Sequence, residues 1–222
     1  MKLVVFGASG GVGQQLLEQA VTAGHEVTAV VRDARKVERF PVRVVTADVL
    51  DGDPAELASA ISGADAVLSA LGPAGNKQAG VASRATEAIV RAMTEAGVRR
   101  LVVVSAAPVR TTPSPGNPNP PKRDEGDGLF LKYVIYPIVK AVLRPQYLDL
   151  ALMEDELRTS NLDWTAIRPV QLTDKPRTAA YRTAIDENLP GGRYISRADV
   201  AHAMLHALDR PQSIGHAIGV AN

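Results

Sequence analysis

Gly7-Ala8-Ser9-Gly10-Gly11-Val12-Gly13 follows a short apolar run, Leu3 to Phe6, and opens an amphipathic stretch from Val12 to Ala23. Glycines at this spacing between a strand and a helix are suited to holding a diphosphate. Gly7 permits the tight turn, Gly10 lets the main chain approach a phosphate without a Cβ in the way, and Gly13 lets helix and strand pack closely. The free N–H groups and the positive pole of the helix then face the anion. The next strand, Val27 to Val31, runs into Arg32. At that position an acid suits the 2′-hydroxyl of NAD and a base suits the 2′-phosphate of NADP. Arg35 and Lys36 follow, so three cations can surround one phosphate, and Arg32 can also lie over the adenine. The arrangement favours NADPH over NADH. Asp33 is the competing group, because a carboxylate turned to the ribose would favour NAD and leave the cations as a solvated helix start.

Other spacings are weaker. His202 and His206 stand four apart, but Ala203-Met204-Leu205 lies between them, so the glutamate of a zinc-protease helix is missing and no metal is expected. Glu154-Asp155-Glu156 reads as a solvated acidic helix turn, with Glu154 able to face a pocket. The absence of cysteine excludes disulfides and thiolate chemistry and suits a reducing compartment. A formal charge of +1 gives no surplus for nucleic-acid phosphates. The apolar run at the N-terminus is too short for a signal-peptide core or a membrane span, and later apolar stretches are broken by charge or proline. The expectation is a cytoplasmic chain with a small-molecule partner, no nucleic acid and no membrane, as a monomer or homodimer.

Positioning these residues requires alternating strands and helices, the pattern of a doubly wound, mainly parallel α/β sheet of Rossmann type with helices on both faces. The 222 residues suffice for one domain, 1–222. Further strands read at Val42 to Val45, Ala66 to Ser69, Leu101 to Val104 and Trp164 to Ile167. Helices read at Ala55 to Ile61, Gln78 to Ala96 and Met153 to Thr159, with Gly24 and Gly97 as stops. Tyr194 to Leu208 reads as a short strand and a helix capped near Ser196, and Gly215 to Val220 as a last edge strand. Pro108 to Gly128 lacks periodicity. It reads as a mobile lid, or alternatively as plain disorder, leaving the carboxyl end of a central strand, where ligands bind in such sheets.

With the glycine turn, Val31-Arg32-Asp33, Asp48-Val49-Leu50, Asp65-Ala66-Val67, Ser105, Trp164-Thr165-Ala166-Ile167-Arg168-Pro169 and Ile195-Ser196-Arg197-Ala198-Asp199, the chain resembles the atypical short-chain dehydrogenase/reductases. The likeness covers nearly the whole length. It is strongest to the NAD(P)H-binding proteins that include biliverdin-IXβ and flavin reductases, and looser to the NmrA-like proteins. The resemblance implies that Asp48 and Val49 border the adenine, and that Ala70-Leu71-Gly72 passes under ribose and pyrophosphate. It also implies that Ser105 and Ala106 flank the nicotinamide, with Pro169, Val170 and Gln171 closing over its other side. Alternatively, Asp48 only caps a turn, Ser105 only satisfies a strand end and Pro169 only stops a strand.

Carbonyl-reducing members use a Tyr-x-x-x-Lys pair on the helix leading into the arginine-proline strand, the lysine lowering the tyrosine pKa. Here that segment is Gln146 to Thr159, where Tyr147 is followed four residues later by Ala151. The literal match Tyr136-Pro137-Ile138-Val139-Lys140 lies upstream, and Pro137 would disturb its helical turn. Chemistry without a dedicated proton donor is therefore expected: hydride transfer from NAD(P)H to a flat conjugated acceptor such as a flavin, quinone or bilin. Ser105 is the candidate hydrogen-bond donor, with Tyr147 second. The alternatives are a non-catalytic NADP(H) sensor of NmrA-like type and a carbonyl reductase or epimerase using Tyr136 and Lys140.

Overall fold

The structure, a computed structural model, describes residues 1–72, 80–121 and 142–222. In chain order it runs β1 (Lys2–Phe6), α1 (Gly11–Thr22), β2 (Glu26–Val31), β3 (Arg43–Thr46), α2 (Pro54–Ile61), β4 (Ala66–Ser69), α3 (Val81–Ala96) and β5 (Arg100–Val104). Then come α4 (Arg144–Thr159), β6 (Asp163–Pro169), β7 (Gln171–Thr173), β8 (Arg182–Ile185), β9 (Tyr194–Ser196), α5 (Arg197–Leu208) and β10 (His216–Ala221). Eight strands form one sheet in the order β3-β2-β1-β4-β5-β6-β10-β8, and β7 pairs with β9 in a small parallel sheet. In the large sheet, β8 alone runs antiparallel to its neighbour.

Alternation along β1 shows why helices cover both faces. Val4 and Phe6 pack with Leu57 and Ile61 of α2, Ile89 and Met93 of α3, and Met153 and Leu157 of α4. Leu3 and Val5 point the other way, against Leu16 and Leu17 of α1 and Val200 and Met204 of α5. A strand with both faces apolar is stable only between two layers. The strand order reverses between β1 and β4, which opens a crevice at the carboxyl ends of these strands. The doubly wound reading thus holds, and the stops at Gly24 and Gly97 both adopt positive φ.

Three expectations are corrected or extended. Gly215 to Val220 is not an edge: β10 lies between β6 and β8, and β8, too polar and short to stand out in the sequence, takes the edge. α4 begins at Arg144 and not Met153, because Pro145 lies in the first turn, where a missing N–H costs nothing. The tract expected to be irregular is ordered over 108–121: a 3-10 turn spans Ala107–Thr111 with Val109 buried, and Asp155 of α4 accepts from Ser114 Oγ at 3.0 Å and from the Gly116 N–H at 2.9 Å. The remainder of the proposed lid, 122–128, and the pair Tyr136 and Lys140 lie outside the described residues.

Candidate functional site

Strand register brings the sequence-selected residues to one edge. Phe6 is level with Val30 and Ser69, Ser69 with Val103, and Val104 with Ile167. Gly7, Arg32, Ala70 and Ser105 therefore leave the sheet side by side at the crevice. Gly7 has φ +69, and a Cβ on it would stand 2.7 Å from the Ala70 carbonyl carbon and 2.8 Å from the Leu71 nitrogen. The turn and the Ala70-Leu71-Gly72 segment are thus in main-chain contact. A Cβ on Gly13 would meet the Gly7 carbonyl oxygen at 2.1 Å, so only glycine lets α1 start this close to β1. Gly10 donates to the Gly7 carbonyl at 3.0 Å, and no side chain caps α1. Ala8 and Val12 are buried, while Gly10 and Gly11 are exposed. The first-turn N–H groups of such a helix lack intrahelical partners, and this cradle fits a diphosphate.

At the other end of the crevice, Asp33 is engaged. Its two oxygens accept from Arg35 Nε at 2.9 Å and Nη2 at 3.0 Å, and Oδ1 also accepts from the Arg35 N–H at 3.2 Å. These hydrogen bonds with Arg35, set against slight desolvation, hold its carboxyl below the usual range. Arg32 and Lys36 are exposed, and neither side chain has a hydrogen bond or ion pair among the described residues. Arg35 is thus diverted from the three-cation cluster. Arg39, not singled out in the sequence, donates to Gln14 Oε1 at 2.8 Å and lies over the Phe40 ring. Asp48 is half-buried and accepts from the Leu50 N–H at 2.9 Å, so it caps a turn. Val49 packs against the core.

At the end of β5, Ser105 is buried and its N–H donates to the Ile167 carbonyl at 2.7 Å. Its hydroxyl donates to Glu154 Oε1 at 2.7 Å. Glu154 is 0% exposed, which overturns the reading of a solvated acidic turn. It accepts from both Arg168 Nε, at 2.8 Å, and Arg168 Nη2, and from Arg158 Nη2 at 2.9 Å. Ser105 thus spends its proton on Glu154. Ala106 follows in extended conformation. Tyr147 lies two turns ahead of Glu154 on the same stripe of α4, about 10 Å along the axis. Burial pushes its phenol pKa up, and its hydroxyl has no partner among the described residues. Ala151, where the dyad lysine would stand, is buried.

Pro169 is buried at the end of β6, Val170 is half-buried and Gln171 is exposed as β7 begins. β7 is held by β9, whose last residue Ser196 caps α5 by accepting from the Asp199 N–H at 2.9 Å. Asp199 in turn accepts from the N–H groups of Thr178 and Ala179, both at 2.8 Å, and from Ser196 Oγ at 2.8 Å. His202 Nδ1 is within 2.8 Å of the Tyr181 hydroxyl, so this histidine is engaged in a side-chain contact.

Sequence reasoning missed Arg168 as a partner, although a charged side chain within the mostly apolar run Trp164 to Pro169 calls for a buried counter-ion. It also missed Asp149, which caps α3 from α4 by accepting from the N–H groups of Ala82 at 2.9 Å and Ser83 at 3.0 Å.

The profile of a family described as NAD(P)H-binding matches residues 7–211. The uncharacterized protein YwnB of Bacillus subtilis is 31% identical over 96% of this chain and 94% of its own length. YhfK of the same organism, named an uncharacterized sugar epimerase, is 28% identical over 94% of this chain and 88% of its own. A solved Streptococcus pneumoniae protein, provisionally named an NADH-flavin reductase, superposes with a TM-score of 0.75 at 25% identity, covering 100% of this chain and 99% of that one.

Proposed function

The chain belongs to the NAD(P)H-binding family, and on that premise we propose that it is an NADPH-dependent reductase passing hydride to a flat conjugated acceptor such as a flavin, quinone or bilin. The observation that carries this reading is an intact diphosphate cradle beside a site in which the buried Ser105 hydroxyl donates inward to Glu154. When bound, the reduced nicotinamide supplies the hydride. The chain's own residues would bind, orient and exclude water: the 7–13 turn would hold the diphosphate, Ala70-Leu71-Gly72 would support the ribose, and Pro169, Val170 and Gln171 would cover the ring. Ser105, its hydroxyl held by Glu154, would flank the nicotinamide together with Ala106. An acceptor that takes its proton from water needs no side-chain acid, so catalysis rests on proximity and orientation.

NADPH is preferred over NADH in this reading because both Asp33 oxygens are taken by Arg35, whereas Arg32 and Lys36 are uncommitted. A 2′-phosphate meets cations there, whereas a ribose hydroxyl competes with Arg35 for the Asp33 carboxylate. The name of the relative YhfK supports a second reading, a sugar epimerase or carbonyl reductase using Tyr136 and Lys140. The two separate cleanly. Purified protein mixed with NADPH and, in turn, FMN, a quinone or a bilin is expected to consume nicotinamide absorbance with at least one of them and to retain that activity in Tyr136→Phe. Binding of NADPH without turnover of any of the three would contradict the reductase reading and favour a sensor. Turnover of a sugar nucleotide abolished by Tyr136→Phe would favour the epimerase.

A further inference from the structure

We propose that Arg197 neutralises the diphosphate of the bound dinucleotide, and that Asp174 is the counter-charge which the diphosphate displaces. The inference rests on the NADPH reading above and adds a residue to its site. Between Gly7 and Glu18 the chain carries no basic residue, so the cradle supplies N–H groups and a helix pole but no full positive charge. Arg32 and Lys36 lie beyond the end of β2, at the ribose side, and Arg39 is engaged with Gln14 and the Phe40 ring. Arg197 lies against the turn itself. A Cβ on Gly11 would stand 2.6 Å from Arg197 Cδ, 2.9 Å from its Nε and 3.9 Å from its guanidinium carbon. Gly11 therefore leaves the space that the end of the Arg197 side chain occupies. A phosphate at the head of α1, beside Gly11, would meet that guanidinium.

The arginine is placed there by the fold. Ser196 caps α5, and Gln19 Nε2 donates to the Ala198 carbonyl at 2.8 Å, fastening the start of α5 to α1. Arg197 Nη1 pairs with Asp174 Oδ1 at 2.6 Å, and the two side chains are 32% and 88% exposed. A pair this exposed is worth about 0–1 kcal/mol. A diphosphate, already held by main-chain N–H groups and the helix pole, offers the guanidinium a stronger partner. Asp174 directly follows β7, the continuation of Pro169 to Gln171. Exchange of partners therefore couples occupancy of the turn to the segment that covers the nicotinamide.

The test compares NADPH, which carries the diphosphate, with 2′-AMP, which carries the 2′-phosphate and adenine without it. Arg197→Met is expected to raise the Kd for NADPH about tenfold or more while leaving 2′-AMP within about twofold. Asp174→Asn, an exposed change that spares the fold, is expected to tighten NADPH by up to about fivefold through removal of the competitor. Arg99→Met, which deletes a cation paired with Asp163 at the opposite end of the sheet, controls for net charge. NADPH binding unchanged in Arg197→Met, parallel loss of both ligands, or an Asp174→Asn protein that binds NADPH no tighter would each overturn the proposal. Wild-type protein that binds neither ligand would instead overturn the NADPH reading on which it rests.

Discussion

Glu154→Gln removes a full charge from a carboxylate that is 0% exposed and holds three donors: Ser105, Arg168 and Arg158. Arg168 is itself 5% exposed, so the substitution strands its guanidinium with a neutral amide. Breaking a buried pair from one side costs about 3–5 kcal/mol, because the surviving charge remains desolvated. Glutamine keeps the volume and one acceptor oxygen, and Arg158 loses a partner but keeps Asp155 at 2.7 Å. The lower end, about 3 kcal/mol, is therefore expected. For a chain of this size that corresponds to a fall in melting temperature of roughly 6–12 °C. Urea denaturation followed by circular dichroism measures the free energy directly. The double variant Glu154→Leu/Arg168→Met, which removes both charges and keeps apolar bulk, should recover much of the loss. A Glu154→Gln protein within about 1 kcal/mol of wild type, or a double variant less stable than the single, would refute the argument that this pair is a mutually dependent buried unit.

Arg32→Ser should weaken NADPH about tenfold or more and leave NADH nearly unchanged, since a charged hydrogen bond to phosphate contributes about 1.5–3 kcal/mol; fluorescence titration with both cofactors checks it. Tyr147→Phe should lower the reductase rate less than about threefold, since an acid in the transition state would contribute 100-fold or more; steady-state kinetics decide it. Asp199 carries a pH signature: desolvation raises its pKa, but the Ala179 N–H, the Ser196 hydroxyl and the Thr178 donors outweigh it, so the folded value lies below the ordinary one. The unfolded state then binds the extra proton, so this stability is complete above about pH 4 and lost as pH falls through the depressed value. Chemical denaturation from pH 7 to 3 should show a steeper acid loss for wild type than for Asp199→Asn, which starts less stable.

The architecture was legible because strand runs such as Leu3 to Phe6 are apolar on both faces and helices such as Val81–Ala96 end at a glycine. Period and punctuation report on local structure, and local structure determined most of the sheet. β8 escaped notice because Arg182–Ile185 is held by pairing with β10 and not by its own composition. The glycine turn was legible for a steric reason, confirmed by the contacts a Cβ on Gly7 or Gly13 would make. The Ser105–Glu154–Arg168 unit was not, because its members lie on β5's exit, α4 and β6, and only packing makes them neighbours. Asp33 shows the converse: an acid in the right place for ribose is taken by Arg35, two residues away, which spacing alone could not reveal.

Isothermal titration of the wild-type chain and of Gly13→Ala with NADPH tests the central claim most directly, because a Cβ on residue 13 would lie 2.1 Å from the Gly7 carbonyl oxygen and deform the cradle without touching any charged group. Saturable heat at one equivalent for wild type, and none for Gly13→Ala at the same concentration, is the expected result. Absence of heat from the wild type with both NADPH and NADH, or equal affinity in the two proteins, would contradict the account.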